Sequence, residues 1–265
     1  TAGRIIDQLE VRKGLSLTFD LNLEHSLPRV EKYDRQSTVD LSAVNPKTGK
    51  KGALVFANRN GYGRRFQPAL TVLEPRVSMA WNPTSEAGMV VRAHYARSYQ
   101  GWPLQWGHWG TQGFNLYPTF LSANRLTEPA LTLRDGVPRD TATGPNLDPS
   151  AADDTNANLM NRDDNVSMYT SVGMSFEREL PGHLLVVVSG ARDSGRNVFI
   201  GNSVTNPNAV PLDYLSFRDA LNDEAFVRTL RPFSQYQLFN LGGMWPVARY
   251  NRDAAAVRIE RRATA

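Results

Sequence analysis

The stretch LSLTFDLNLE at residues 15–24 alternates apolar and polar residues from its first position to its last. Side chains of a β-strand point alternately to opposite faces, so this stretch predicts a strand with one apolar and one polar face. A soluble β-sandwich uses such a strand with its apolar face in the core. A membrane β-barrel uses it with the apolar face against lipid and the polar face toward a wet lumen.

The same alternation recurs along the chain and predicts seven strands. They are expected at residues 3–12, 15–25, 75–83, 89–98, 167–179, 184–192 and 253–262. Short turns, such as Lys13-Gly14 and Pro181-Gly182, join the strands into hairpins. Long segments rich in Pro, Gly and Asn follow each hairpin, and we expect them to be loops at 26–73, 99–165 and 193–251, with one short helix near 211–221.

This arrangement of short turns and long loops favours the membrane alternative. Loops longer than about 15 residues are uncommon in compact soluble domains. All three long loops follow the second strand of a hairpin, so they lie at one end of an antiparallel sheet. Outer-membrane barrels have short periplasmic turns and long outer loops in this order. We therefore expect an all-β fold, an antiparallel transmembrane β-barrel with long extracellular loops.

The composition narrows the classes of function. The chain of 265 residues carries a net charge of only +4 with dispersed basic residues, which predicts no nucleic-acid partner. It has no cysteine, so disulfides and thiolate chemistry are excluded. The four histidines are scattered, and no nucleotide-binding or nucleophile motif occurs. We expect no enzyme activity and no cofactor.

Several segments resemble those of a known family in the same order along the chain. EPRVSMAWNP at 74–83 and VVRAHYARSY at 90–99 resemble a hairpin of large TonB-dependent outer-membrane receptors, in the branch with a carboxypeptidase-regulatory-like domain. Shorter matches to the same family are NPKTG at 45–49, GALVFA at 52–57, GYGR at 61–64, FERELPG at 176–182, LRPFSQY at 230–236 and VRIERR at 257–262.

The resemblance implies a 22-stranded barrel in the bacterial outer membrane, plugged by an N-terminal domain. It implies import of a scarce nutrient, such as an oligosaccharide, a peptide or a metal chelate. The implied partners are outer-membrane lipid, the plug domain, the TonB complex and a surface lipoprotein. Seven predicted strands are fewer than the family has, and no plug or TonB box is recognisable. The chain is therefore expected to be an internal segment of a longer barrel.

Two groups of loop residues are candidate binding sites. Trp102, Trp106, His108 and Trp109 are close in one predicted external loop, where tryptophans offer rigid stacking surfaces to a sugar or an aromatic ligand. The alternative explanation is packing within the loop or contact with the membrane interface. An acidic run in the same loop could bind calcium through hard oxygen ligands, or it could be a solvated surface: Asp153, Asp154, Asp163 and Asp164.

The polar faces of the strands supply a third set of candidates. Strand periodicity predicts that eight residues face the lumen: Asp20, Glu24, Arg76, Arg92, His94, Glu177, Arg258 and Glu260. They could bind a plug, line a substrate path, or form a generic polar wall with mutual ion pairs. A soluble carbohydrate-binding sandwich and a barrel that only anchors a surface protein remain alternatives. Outward exposure of the apolar faces would distinguish a barrel from a sandwich.

Overall fold

The strands of the chain pair into one large antiparallel sheet and two small ones in the computed structural model. It describes residues 1–83, 88–100, 110–115, 120–122, 124, 127–132, 134–137, 144–160, 162, 165–200, 206–237, 239–241 and 245–261. The strands and helices are β1 (Ala2–Arg12), β2 (Leu15–Ser26), β3 (Ser37–Val44), β4 (Lys51–Phe56), β5 (Leu70–Trp81), β6 (Met89–Gln100), β7 (Ala157–Leu159), β8 (Ser167–Leu180), β9 (Leu184–Ile200), a 3-10 helix (Leu212–Asn222), α1 (Glu224–Leu230), β10 (Phe239–Leu241) and β11 (Trp245–Arg261).

The main sheet has seven strands in the order β1-β2-β5-β6-β8-β9-β11. Every neighbouring pair is antiparallel, as hairpins require. At the first tight turn Gly14 adopts a φ of 79°, which favours glycine, and its carbonyl accepts a hydrogen bond from the Asn82 N–H at 2.6 Å. Among the described residues β1 and β11 each have one strand neighbour, so the sheet is open and not a closed barrel.

The long connections fold together at one end of the main sheet. We call the described parts of residues 27–69, 110–166 and 206–241 the loop body. It contains the antiparallel pair β3–β4 and the parallel pair β7–β10. Its buried core draws on all three connections: Val39, Leu54, Phe56, Ala152, Ala157, Leu159, Tyr236 and Phe239. The Tyr236 hydroxyl donates to the Gly52 carbonyl at 2.6 Å, which joins the third connection to the first.

The prediction that segments 26–73, 99–165 and 193–251 are irregular loops is therefore wrong in large part. Residues 52–56 of β4 are buried without alternation, so a strand there gives no period of two. The strand predicted at 184–192 continues to Ile200, and the strand predicted from 253 begins at Trp245. The strand predicted from 75 begins at Leu70. These extensions lie near the loop body, where some of their residues, such as Leu70, Val72 and Phe199, are buried by other parts of the protein.

No helix among the described residues is long and apolar enough to span a membrane. The 3-10 helix lies where the sequence predicted a short helix, directly after Pro211. Asp223 caps α1, because its carboxylate accepts hydrogen bonds from the backbone of Ala225 and Phe226.

Candidate functional site: the polar face of the main sheet

Pairing across the main sheet sorts its residues into two faces. Thr18, Ser78, His94, Gly173, Ala191 and Ala254 are partners in succession across six strands. Their sequence neighbours Leu17, Met79, Ala93, Met174, Gly190 and Ala255 form the adjacent row on the opposite face. Partners in register lie on the same side of a sheet, so we call these sides the polar face and the apolar face.

The sheet curls toward its polar face. A recess of about 430 Å³ is bounded by residues of β2, β5, β6, β8, β9 and β11. Most of its lining residues, including Ser16, Arg92, Ser175 and Ala256, belong to the polar face. Six strands laid flat would extend over about 24 Å, so one small recess reaches all of them only if the sheet is curved around it. The polar face is therefore concave.

The register places all eight residues predicted to face the lumen on this concave side: Asp20, Glu24, Arg76, Arg92, His94, Glu177, Arg258 and Glu260. The Asp20 carboxylate accepts hydrogen bonds from Arg4 at 2.8 and 2.6 Å and lies 3.9 Å from Arg76. Arg92 pairs with Glu177 in the neighbouring strand, and Arg258 lies 3.3 Å from Glu260. Their role in binding a plug or a substrate stays a prediction.

The buried carboxylate of Glu74 lies next to the point where the pairing of β5 and β6 ends. Glu74 is 7% exposed on the polar face. It accepts a hydrogen bond from the Asn22 amide at 2.9 Å and another from the Tyr99 N–H at 2.8 Å. The β5–β6 ladder ends at the pair of Arg76 and Ala96, so this carboxylate replaces the missing ladder partner of Tyr99.

The apolar face is exposed and no second sheet of the described structure covers it. Phe19, Leu21, Val172, Met174 and Val257 are between 40% and 67% exposed. A soluble protein hides such a surface, because burying apolar area is the main gain of folding. The alternative of a soluble sandwich, with these residues between two sheets, is therefore wrong.

The outer border of the apolar residues crosses the sheet at a slope. On β2 the last apolar residue of this face is Leu23, followed by His25. On β11 it is Ala255, followed by Asp253, and Ala255 lies in the same row as Leu17. Between β2 and β11 the border thus shifts along the strand direction by six residues, or about 20 Å. The distance across the sheet between these two strands is five strand spacings, or about 24 Å in total. This slope of about 40° equals the strand tilt of transmembrane barrels.

Three charged residues of the apolar face show how the border is built. Arg192 and Asp253 form a bidentate ion pair at 2.6 and 2.8 Å, and they lie in neighbouring strands directly outside the border. Asp7 is the exception, because it lies opposite Phe19 within the apolar rows of β1 and β2. It is on the edge strand β1, whose other side has no strand neighbour in the described structure.

The candidate sites predicted in the loops are described only in part. Trp102, Trp106, His108 and Trp109 lie outside the described residues, as do Asp163 and Asp164. Asp154 pairs with Arg228 of α1, and burial raises the pKa of the nearby Asp153 carboxyl. Within the described part of the chain no three acidic or histidine side chains are grouped closely enough to hold a metal ion.

The Asp40 carboxylate of the loop body accepts hydrogen bonds from three side chains. Partial burial alone would raise the pKa of Asp40, but hydrogen bonds from Ser42, Tyr62 and Arg162 outweigh it and lower the pKa to about 2. The Ser42 hydroxyl donates at 2.6 Å, the Arg162 guanidinium at 2.7 Å and the Tyr62 hydroxyl at 3.1 Å. Asp40 therefore joins the first long connection to the second.

A curved sheet with a polar concave face, an exposed apolar convex face and a border sloped like tilted strands is the wall of a membrane β-barrel. The family model of the outer membrane beta barrel domain matches residues 5–265, so the chain belongs to this family. The protein is accordingly located in the bacterial outer membrane. Searches among curated proteins and among solved structures gave no match.

Proposed function

We propose that this chain forms part of the wall of a TonB-dependent outer-membrane receptor that imports a nutrient and does not convert it chemically. The observation that supports this best is the size of the residues on the concave face. In the two rows below its external end, nine of the twelve residues from β2 to β11 are glycine, alanine or serine, and the other three are Thr18, His94 and Arg92. The small residues are Ser78, Gly173, Ala191 and Ala254 in the first row, then Ser16, Ala80, Ser175, Ser189 and Ala256 in the second.

Such small residues favour a wide barrel. Barrels of about eight strands fill their interior with side chains, whereas those of 16 to 22 strands leave a channel or a plugged lumen. Glycine, alanine and serine cannot fill the interior of a narrow barrel. We therefore propose that further strands complete a wide barrel of 22 strands, and that a plug domain packs against the small residues.

The same argument applies to the unpaired edges of β1 and β11. An open sheet edge is not tolerated in lipid, because its backbone groups have no hydrogen-bonding partner there. We propose that strands beyond the seven of the main sheet pair with these two edges and close the barrel. The resemblance of 74–83 and 90–99 to TonB-dependent receptors supports a plug, the TonB complex and a surface lipoprotein as partners.

Uptake measurements test this proposal. Cells with and without the protein are offered oligosaccharides, peptides and ferric chelates, before and after collapse of the inner-membrane proton gradient. We expect uptake of one class to require both the protein and the gradient. Uptake that needs the protein but not the gradient would indicate a passive channel and overturn the TonB-dependent part. Loss of surface attachment without any change in uptake would instead indicate a barrel that only anchors a surface protein.

A further inference from the structure

The external end of the polar face carries a second recess, separate from the wall of small residues. Its volume is about 360 Å³, and its lining comes from four consecutive strands, β6, β8, β9 and β11. Seven of the eight lining residues fall into two adjacent rows of the register, and the eighth, Thr170, lies between Tyr169 and Ser171 on β8. The upper row is Ser98, Tyr169, Gly195 and Tyr250, and the lower row is Ala96, Ser171, Asp193 and Arg252.

Two tyrosine rings flank a glycine in the upper row. The centroids of the Tyr169 and Tyr250 rings are 6.4 Å apart, with 43° between their planes. A Cβ on Gly195 would lie 2.3 Å from Cε1 of Tyr250, so the ring rests where any other side chain would stand. The Tyr169 hydroxyl donates to the Gln100 side-chain oxygen at 2.9 Å, which fixes this ring. The recess therefore has a preformed aromatic wall.

A free carboxylate and a free guanidinium lie in the row below. Asp193 and Arg252 are cross-strand partners, yet within the described structure neither side chain has an ion pair or a hydrogen bond. One residue along each strand, Arg192 and Asp253 form a bidentate pair on the apolar face. The distance between β9 and β11 thus allows an ion pair between cross-strand neighbours. Asp193 and Arg252 do not form one in the described structure, so both side chains are available to hydrogen-bond a ligand.

The charge of the recess selects among the ligand classes of the proposed function. Asp193 and Arg252 are adjacent and of opposite sign, so the recess has no net charge and gives no advantage to an anionic metal chelate. Ser98 and Ser171 add hydroxyl groups, and the tyrosine rings add apolar surfaces with polar tips. Flat apolar surface beside planar donors and acceptors matches the faces and the hydroxyl groups of a sugar ring.

We propose that these two rows form a binding subsite for a neutral oligosaccharide on the lumen wall. Tyr169 and Tyr250 pack against a sugar ring, Asp193 accepts hydrogen bonds from sugar hydroxyls, and Arg252 donates to sugar oxygens. Below the subsite, the rows of small residues leave space along the wall for the next part of the chain of sugars. This inference rests on the proposed import function for its place on a substrate path.

Calorimetric titration of the full-length protein in detergent micelles tests the subsite. The probes are maltohexaose, cellohexaose and xylohexaose, with hexaalanine and ferric citrate as probes of the other classes. We expect one of the neutral hexaoses to bind, and neither hexaalanine nor ferric citrate. Tyr250→Ala, Tyr169→Ala and Arg252→Gln are each expected to lower the affinity by roughly tenfold or more, because a stacking surface or a charged hydrogen-bond donor to the sugar is lost. Tyr250→Phe keeps the ring and is expected to stay within about threefold.

Matched controls lie on the opposite face of the same strands. Val257→Ala removes an apolar side chain from the apolar face of β11, and Tyr95→Ala removes a ring from the apolar face of β6. Both controls are expected to bind the hexaose like the unaltered protein. Failure of all three hexaoses to bind, binding of hexaalanine instead, or equal binding by the Tyr169 and Tyr250 variants would overturn the subsite.

The outcomes separate this inference from the import function. Binding in micelles needs neither the TonB complex nor a proton gradient. Hexaose binding without gradient-dependent uptake would keep the subsite and overturn the transport proposal. Gradient-dependent uptake of a peptide, unchanged in the Tyr250→Ala variant, would keep transport and overturn the subsite.

Discussion

The ion pair of Arg192 and Asp253 connects sheet register to the position of the membrane. Both side chains belong to the apolar face, at the row where its apolar residues end. A charged group at this depth is tolerated when it is paired or reaches the interface, and it is costly when left alone in lipid. The pair therefore lets β9 and β11 leave the apolar zone without an uncompensated charge.

Removing one partner should destabilise the protein more than removing both. We expect Asp253→Ala to lower the midpoint of thermal unfolding in lipid vesicles, since Arg192 then has no counter-charge. The double variant Arg192→Leu/Asp253→Leu extends the apolar zone and is expected to unfold at the midpoint of the unaltered protein or above. Circular dichroism during heating measures both. A single variant as stable as the double variant would contradict a lipid-facing position.

The lowered pKa of Asp40 predicts that acid weakens its contacts within the loop body. Its pKa in the folded protein is about 2, against 3.8 for the free side chain. A depressed pKa stabilises the folded form above pH 3.8, and this contribution disappears as the pH falls toward 2. We expect the protection of the β3 amides, measured as the observed exchange rate against the intrinsic rate at the same pH, to fall between pH 4 and pH 2. In Asp40→Asn the β3 amides should be less protected at pH 5 and lose less protection on acidification, whereas Asp219→Asn, in the exposed 3-10 helix, should match the unaltered protein.

At the scale of an element, β2 offers the sharpest test of which face meets lipid. Phe19 and Thr18 are neighbours, one on the apolar face and one on the polar face. An arginine facing the middle of the bilayer costs about 2–4 kcal/mol, whereas lumen positions accept charge. Phe19→Arg should therefore impair folding into vesicles, and Thr18→Arg should not. Heat-modifiable migration in gels reports folding for both variants, and equal effects would contradict the two faces.

Strand periodicity was sufficient to predict the parts of the chain that lie between lipid and water. Residues 15–24 alternate because each side of β2 meets only one solvent, and this period alone predicted lumen-facing residues on five of the seven strands, β2, β5, β6, β8 and β11. The period is lost where a strand meets protein on both sides. β4 in the loop body and the end of β9 after Asp193 are examples, and both were predicted as loops.

The external recess could not be predicted, because its residues come together only through register. Tyr169 and Tyr250 belong to β8 and β11, which do not pair with each other and meet across β9. The sequence interpretation placed Asp193 and Arg252 next to the ends of a long loop rather than within strands. The sequence shows aromatic and charged residues at these positions. That they lie on the same face of the sheet follows from the pairing of β8, β9 and β11, which no local sequence pattern determines.

At the scale of the molecule, the buried residues and the spanning residues are in different places. The largest fully buried side chains of the described structure lie mostly in the loop body, whereas β1 has no buried residue. The sheet therefore depends for its stability on lipid outside and on whatever occupies the concave side, and the loop body depends on its own core. The two parts should unfold in separate steps.

Substitutions in the core of the loop body test this separation. Phe239 is fully buried against Tyr236 and Phe233, with ring centroids 5.3 and 5.5 Å away. Removing a buried phenylalanine ring costs about 3–5 kcal/mol, so Phe239→Ala should open the loop body. Tyr236→Phe loses only the hydrogen bond to Gly52 and should cost about 1 kcal/mol.

In intact cells, external protease should cleave the Phe239→Ala variant within the long connections while the sheet stays heat-modifiable. If the Phe239→Ala variant also lost its heat-modifiable migration, the loop body and the sheet would unfold as one unit. Phe217→Ala, on the exposed 3-10 helix, is the control for removing a ring outside the core.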